Sequence, residues 1–378
     1  MILNPEQVMI RDAMRSFAQE RLAPNSAAWD RDKTFPAEAL KELGALGAMG
    51  MTVPEAYGGA GMDTMSLVLT LEEIAAGDGA TSTIVSVQNS LACGITLKFG
   101  SEAQKQRWLV PLAKGAALGC FCLTEPQAGS DAAALLSTAT KDGDHWVLNG
   151  VKQYITTGKH ADVAVVFAVT NKAAGKKGIS CFLVPTATPG YTVARLENKM
   201  GQHASDTAQI VFDNCRVPLD ALMGAEGEGY RIALSNLEAG RIGIAAQCIG
   251  MARAALEAAI RYAKERITFG KPIIEHQAVH FRLADMATQI DAARLMVWRA
   301  AMLKDAGQPC LTEASMAKMY ASEMAEKVAS DAIQIHGGAG YTSDYPVERI
   351  YRDVRVAQIY EGANDIQRMV IGRALMQG

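Results

Sequence analysis

The stretch LGCFCLTEPQAGSD, residues 118–131, is where the chain changes texture, and the readings on either side of it decide the fold. Before it, from residue 5 to about residue 114, apolar residues recur every three or four positions, interrupted by breakers at Pro24, Pro36, residues 54–61 and Gly100. That period puts an apolar stripe along one side of successive helices and predicts an all-α domain over residues 1–117. After it, to about residue 223, come short β-favouring segments at 145–148, 163–169, 179–184 and 209–212, bounded by Gly, Asn, Asp and Pro. They predict a middle β domain over residues 118–223. Beyond Gly229 the helical period returns over 230–266, 275–306, 312–336 and 365–376. These stretches are long enough to pack as an antiparallel bundle, a helical domain over residues 224–378. The fold class is mainly α with a middle β domain, and with no fixed-period repeat or low-complexity linker the three parts should pack as one body.

At 378 residues the chain exceeds the usual single-domain range. A net charge of only -3, with no run of Lys or Arg, speaks against a nucleic-acid partner. The seven cysteines are scattered, and Cys120 and Cys122, two apart in an apolar run, are read as pointing to opposite faces of a strand. Reduced thiols in a reducing compartment fit that pattern. The first twenty residues mix Glu6, Arg11, Asp12 and Arg15 with apolar positions and lack the apolar core of a signal peptide. No uninterrupted apolar run suggests an integral membrane segment, so the cytoplasm is the expected location.

Residues that could carry chemistry are few. A dinucleotide fingerprint fails at its last glycine both after Gly227 and Gly229 and after Gly338 and Gly340. His276 and His280 lie four apart, but Gln277 stands where a zinc-hydrolase helix needs Glu, so ordinary helix positions are expected and no metal. Residues 123–131 leave a strand through Pro126 and Gly129, and can present N–H groups and hydroxyls to a polar ligand or simply form a turn capped by Ser130 and Asp131. QIHGGAGY, residues 334–341, is a helix stop whose glycine pair allows close approach of a backbone or ligand. Glu361 follows the largely apolar Ile359-Tyr360, a setting that could desolvate its carboxyl; a solvated loop Glu is the plainer alternative.

Taken in order, CLTEPQAGSD (122–131), ERITFGKPI (265–273), QIHGGAGY (334–341) and YEGANDIQR (360–368) resemble the acyl-CoA dehydrogenase family over essentially the whole chain. The resemblance implies an N-terminal helical domain, a β-barrel-like middle domain and a C-terminal four-helix bundle, and FAD as cofactor. Phe121, Cys122, Leu123, Thr124 and Ser130 match the strand and turn that hold the flavin ring, and Tyr154, Ile155 and Thr156 match a second flavin-contacting strand. Arg266, Thr268, His276, Gln277, Gln334, Gly337 and Gly338 match residues that grip a neighbouring subunit's cofactor, which implies a homo-oligomer, expected to be a homotetramer; Ala363 and Asp365 are matched as cofactor-binding too. Ser130, Glu238, Arg241 and Gly362 match the substrate channel, although Glu238 and Arg241 could equally be a helix-surface pair.

Glu361 stands at the position of the base that removes the α proton of a thioester while the β hydrogen leaves as hydride to the flavin. Electrons would pass to electron-transfer flavoprotein. Gly240 holds the position where isovaleryl-type members place their base, which argues against that substrate; Tyr154 replaces the commonest Trp and Ala363 a usual Thr. Short-chain and short branched-chain members are most similar, through SVQNSL (86–91), ARLMVWRAAMLKD (293–305) and EASMAKMYASE (313–323). An acyl group of four to six carbons is expected, in fatty-acid or branched-chain amino-acid breakdown. The alternatives are an acyl-CoA oxidase and a catalytically silent scaffold of the same fold.

Overall fold

A computed structural model describes residues 2–377, the side chain of Leu237 excepted. The expected domain limits at residues 1 and 378 lie outside the described residues. Eight helices come first: α1 (Pro5–Phe17), α2 (Ala23–Asp32), α3 (Ala37–Ala45), α4 (Thr64–Gly77), α5 (Gly79–Val87), α6 (Gly94–Phe99), α7 (Glu102–Gln104) and α8 (Val110–Ala113). Pro24, read as a breaker, does not end the helix: a π turn over Ala18–Leu22 carries α1 into α2, and Pro24 takes the second position of α2, where a missing N–H costs little.

Strands β1 (Gly119–Cys122), β2 (Thr138–Asp142), β3 (His145–Thr156), β4 (Val163–Val169), β5 (Ile179–Pro185), β6 (Tyr191–Leu196), β7 (Thr207–Pro218) and β8 (Leu222–Met223) follow. They pair in the order β6-β7-β3-β2-β4-β5-β8, with β1 added parallel to β4. One face, with Val163, Val165, Phe167 and Leu183, packs with the helical residues Ile95, Leu109 and Leu112, and the other buries Trp146, Ile155, Phe182 and Ile210. Cys120 and Cys122 share this second face with their sulfurs 3.8 Å apart, contrary to the expectation of opposite faces, because residues two apart in a strand point the same way. All seven thiols are free and buried.

The C-terminal part comprises α9 (Gly229–Leu234), α10 (Leu237–Glu265), a small hairpin β9 (Ile267–Thr268) and β10 (Lys271–Pro272), α11 (Gln277–Asp305), α12 (Leu311–His336), α13 (Val347–Arg355) and α14 (Asn364–Gln377). The helix expected over 230–266 is broken before α10, where the buried Asn236 turns its amide to the Ser90 carbonyl. Small residues let α10 and α12 approach closely, Ala245, Ala252, Ala255 and Ala259 sharing a core with Ala317, Ala321, Ala325 and Ala332. Where α10 crosses α4, a Cβ on Gly250 would lie 2.1 Å from the Glu72 carbonyl. Residues Gly229–Glu265 include a window long and apolar enough to cross a membrane, a feature the sequence reading passed over, yet 78% of that window is buried inside the protein.

Buried charges tie the two helical parts together. Glu72 and Glu73 on α4 accept from Arg294 on α11 at 2.9 Å and from Arg15 on α1 at 2.8 Å, and Arg253 on α10 reaches both carboxylates. Asp305, the last residue of α11, caps the start of α4 through the N–H groups of Thr64 and Met65.

Candidate active site

Glu361 sits on the turn between α13 and α14. The Tyr360 N–H closes back onto the Val356 carbonyl, and then Glu361 and Gly362 both adopt left-handed backbone, φ 50° and 91°. For a residue with a side chain that conformation costs on the order of 1 kcal/mol or more, so surrounding contacts must hold it. They do so at the Gly362 carbonyl, which accepts from Lys318 Nζ and from Gln367 Nε2, each at 2.8 Å. Lys318 also donates to Asn364 Oδ1 at 3.0 Å, and Ser322, one turn further along α12, bonds the same amide.

The turn delivers the carboxylate into the protein. Glu361 as a residue is only half-buried, yet both carboxyl oxygens are shielded from solvent and neither has a hydrogen-bond partner among the described residues. The solvated-loop alternative is therefore excluded. Space for the group exists because residue 240 is glycine: a Cβ there would lie 1.8 Å from Glu361 Oε2. Burial pushes the Glu361 carboxyl up to about 7, against the opposing pull of Lys318 and Arg241. Neither cation pairs with it directly. Arg241 is 3% exposed and donates to Ser315 Oγ at 3.1 Å, and burial lowers its proton affinity. The alternative of a Glu238–Arg241 surface pair fails, since Arg241 faces the interior and, among the described residues, Glu238 accepts only a long contact from Cys310 Sγ at 3.8 Å.

Beneath the base, Tyr360 donates to Gln247 Oε1 at 3.0 Å, and Thr83 joins this pair to Gln202, whose own N–H donates to Asp353. Residues from all three regions of the chain thus meet under Glu361. Burial, reinforced by Asp78 and Asp30, pushes the Asp353 carboxyl up to about 7 despite the Gln202 N–H.

Residues 121–125 and 152–156 form a second wall, joined by the Gln153 N–H to the Thr124 carbonyl at 2.9 Å. Phe121 and Leu123 are half-buried against the helical face of the sheet, whereas the side chains of Cys122 and Ile155 lie in the opposite core and can offer a ligand only backbone. Tyr154 occupies an irregularity of β3 with φ 58° and is 64% exposed. The turn after β1 is anchored by Glu125 rather than capped by Ser130 and Asp131, which are both exposed. Glu125 accepts from Lys152 Nζ at 2.7 Å, from the N–H groups of Leu136 and Ser137 and from Gln127. Burial opposes both charges of the pair and lowers the proton affinity of Lys152, but the Lys152 charge and the bonds from Lys152, Ser137 and Leu136 hold Glu125 ionised, down to about 2.

A third group lies at one end of the bundle. His276 bonds Thr268 Oγ1 at 2.9 Å and meets the ring of Phe269, which is 97% exposed in a left-handed conformation. Arg266, Gln277, Gln334, Gly337 and Gly338 are exposed nearby, where Tyr262 stacks on His336. No described contact joins them to Glu361. Ala363 is half-buried beside the base, and Asp365 points outward as the partner of Arg368 at 3.6 Å. Sequence reading missed Lys318, Lys152 and Asp353. The legible signal was a charged residue in a small-residue helical stripe: Ser315, Lys318 and Ser322 share the inner face of α12.

The chain belongs to the acyl-CoA dehydrogenase family: the family models for the N-terminal, middle and C-terminal domains match residues 4–116, 120–215 and 227–376. It is an oxidoreductase. It is similar to the short-chain specific acyl-CoA dehydrogenase of Homo sapiens mitochondria, 48% identical over 98% of this chain and 90% of that protein. Among solved structures it resembles the butyryl-CoA dehydrogenase of Megasphaera elsdenii, with TM-score 0.97, 43% identity and coverage of 100% and 99% of the two chains. It also resembles a chain in a structure described as the electron transferring flavoprotein of Acidaminococcus fermentans, with TM-score 0.98, 46% identity and full coverage of both chains.

Proposed function

We propose that the protein desaturates a short acyl-CoA, butyryl-CoA or a near homologue, to the trans-2-enoyl-CoA, with Glu361 as the base. The observation that carries this reading is the Glu361 carboxylate, buried with both oxygens unbonded and its proton affinity raised. A carboxyl held in an ordinary solvated loop is too weak a base for an α proton, and desolvation strengthens it. A buried carboxylate without partners is costly, so its persistence points to a use for the free lone pairs. Support for the short chain comes from the short-chain and butyryl-CoA relatives, and Gly240 supports a base on the turn after α13 rather than on α10.

FAD fits the second wall. The hydroxyls of Thr124 and Thr156 take part in no described hydrogen bond, and Tyr154 stands exposed at the end of β3. Residues 121–124, Ser130 and 154–156 would hold its ring; the exposed Arg266, Gln277, Gln334, Gly337 and Gly338 and the half-buried Thr268 and His276 would hold the rest of the cofactor of a second copy in a homo-oligomer. Bound there, FAD supplies the acceptor for the β hydride. The chain itself takes the α proton on Glu361. The Glu361 N–H, which donates to no described group, is available to the thioester oxygen as negative charge develops on it. Arg241, Glu238, Ser130 and Gly362 would line the substrate channel. Electron-transfer flavoprotein is the natural partner for reoxidation, in keeping with the electron-transferring structure this chain resembles.

Anaerobic addition of butyryl-CoA, 2-methylbutyryl-CoA and octanoyl-CoA to the flavin-loaded protein tests this reading. Rapid bleaching of the flavin band by butyryl-CoA is expected. A fully loaded protein that no short acyl-CoA bleaches would overturn it.

A further inference from the structure

We infer that Lys318 is the positioning residue of the base: its ammonium, delivered from α12, holds the Gly362 carbonyl and so fixes the left-handed turn that aims the Glu361 carboxylate at Gly240. The inference rests on the reading of Glu361 as the base.

Lys318 is 0% exposed on the inner face of α12, where Ala314, Ser315, Ala317, Ala321 and Ser322 are buried with it. An ammonium in such a place is unfavourable unless a carboxylate or several acceptors compensate it, and an apolar side chain of the same length would pack there at no such cost. No described carboxylate pairs with Lys318 at salt-bridge distance. Its acceptors are the Gly362 carbonyl and the Asn364 amide, the first and third residues after Glu361. The charge is therefore spent on the backbone of the catalytic turn. Gln367 bonds the same carbonyl from the other side, so Gly362 O is gripped between α12 and α14.

The ammonium also faces the base electrostatically. The charged groups directed at Glu361 are Lys318 from α12 and Arg241 from α10, with Tyr360 adjacent on its own turn. Cys248 on α10, Glu323 on α12 and Arg241 bear on Lys318 in turn, and Glu238 bears on Arg241. Removing a cation removes part of what keeps Glu361 ionised. Burial brings Lys318 itself down to about 8, above the Glu361 carboxyl, so it is mostly charged at the pH where Glu361 ionises.

The test uses the flavin-loaded enzyme and Lys318→Met, Gln367→Met and Glu361→Gln, with pH profiles of kcat and kcat/KM on butyryl-CoA, flavin content, and infrared titration of the Glu361 carboxyl band identified by its loss in Glu361→Gln. Lys318→Met is expected to lower kcat about 100-fold with KM nearly unchanged, and to move both the acid limb and the carboxyl titration upward by about half to one pH unit. Gln367→Met should lower kcat by about tenfold and leave the limb in place, because it loosens the turn without removing charge. Wild-type kcat and an unmoved limb in Lys318→Met would overturn the inference, whatever the change in melting temperature. Should Lys318→Met fail to fold, Lys318→Arg and Gln367→Met decide: lowered kcat in both supports the inference, and wild-type kcat in both overturns it. Glu361→Gln separates the two readings, for turnover retained there sinks the base itself, whereas an inactive Glu361→Gln beside a normal Lys318→Met sinks only the role of Lys318.

Discussion

Gly240→Ala should separate activity from stability in opposite directions. A Cβ at residue 240 falls 1.8 Å from Glu361 Oε2, and real Cβ atoms essentially never approach a neighbour within 3.0 Å, so the carboxylate must retreat by at least about 1.2 Å. It can do so cheaply, being the end of a flexible side chain. The fold therefore loses nothing, and the helix gains up to about 1 kcal/mol from exchanging Gly for Ala. Catalysis depends on the displaced atom: a misplacement of about 1 Å is worth on the order of 100-fold in rate, or about 2.7 kcal/mol of barrier. Stopped-flow bleaching by butyryl-CoA should slow by about two orders of magnitude, while the melting temperature stays level or rises. Wild-type bleaching would show that the carboxylate does not occupy the space left by Gly240 when it reacts.

With the Glu361 carboxyl raised to about 7, only its ionised form acts as base, so kcat/KM should fall on the acid side of about pH 7, and a flat profile between pH 5.5 and 7.5 would contradict this. Asp353 keeps its proton in the folded state up to about 7 but releases it near 3.8 when unfolded, so folding stability should fall as pH rises across that window, by roughly 4 kcal/mol at most. Asp353→Asn, which still offers Gln202 an acceptor, should flatten that decline in chemical denaturation at pH 4 and 7; an unchanged pH slope would refute it. Lys152→Met leaves Glu125 charged and buried without its partner and should cost about 3–5 kcal/mol. Its melting curve should drop and the protein should purify with less flavin, and a melting temperature within a degree of wild type would sink the assignment.

The fold was legible because period alone separates helix from strand here: 163–169 was read to the residue, and 312–336 to within one. What period cannot see is a single polar atom overriding it. Asn236 breaks the helix before α10, and α13, short and rich in Arg, shows no apolar run at all. β2 stayed hidden for a related reason: it is a largely exposed strand whose polar residues read as loop, while β6 is short and largely exposed at the sheet edge. At the site, Glu361 could be named from its motif, but not its burial. That depends on Gly240, over a hundred residues away, and on Lys318, which from sequence alone is one more helix lysine.

Gln202 takes bonds from Thr83 and gives them to Asp353, directly under Tyr360 and the base. A residue of the middle region thus belongs to the same hydrogen-bonded unit as an N-terminal helix and two C-terminal segments. Opening any one region leaves buried polar groups of the other two unsatisfied, so the chain should melt in one cooperative step, and excised regions should fold poorly alone. Evolution working on such a chain can alter its surface residue by residue, but it cannot trade one of the three regions for a foreign one without rebuilding the floor beneath the base.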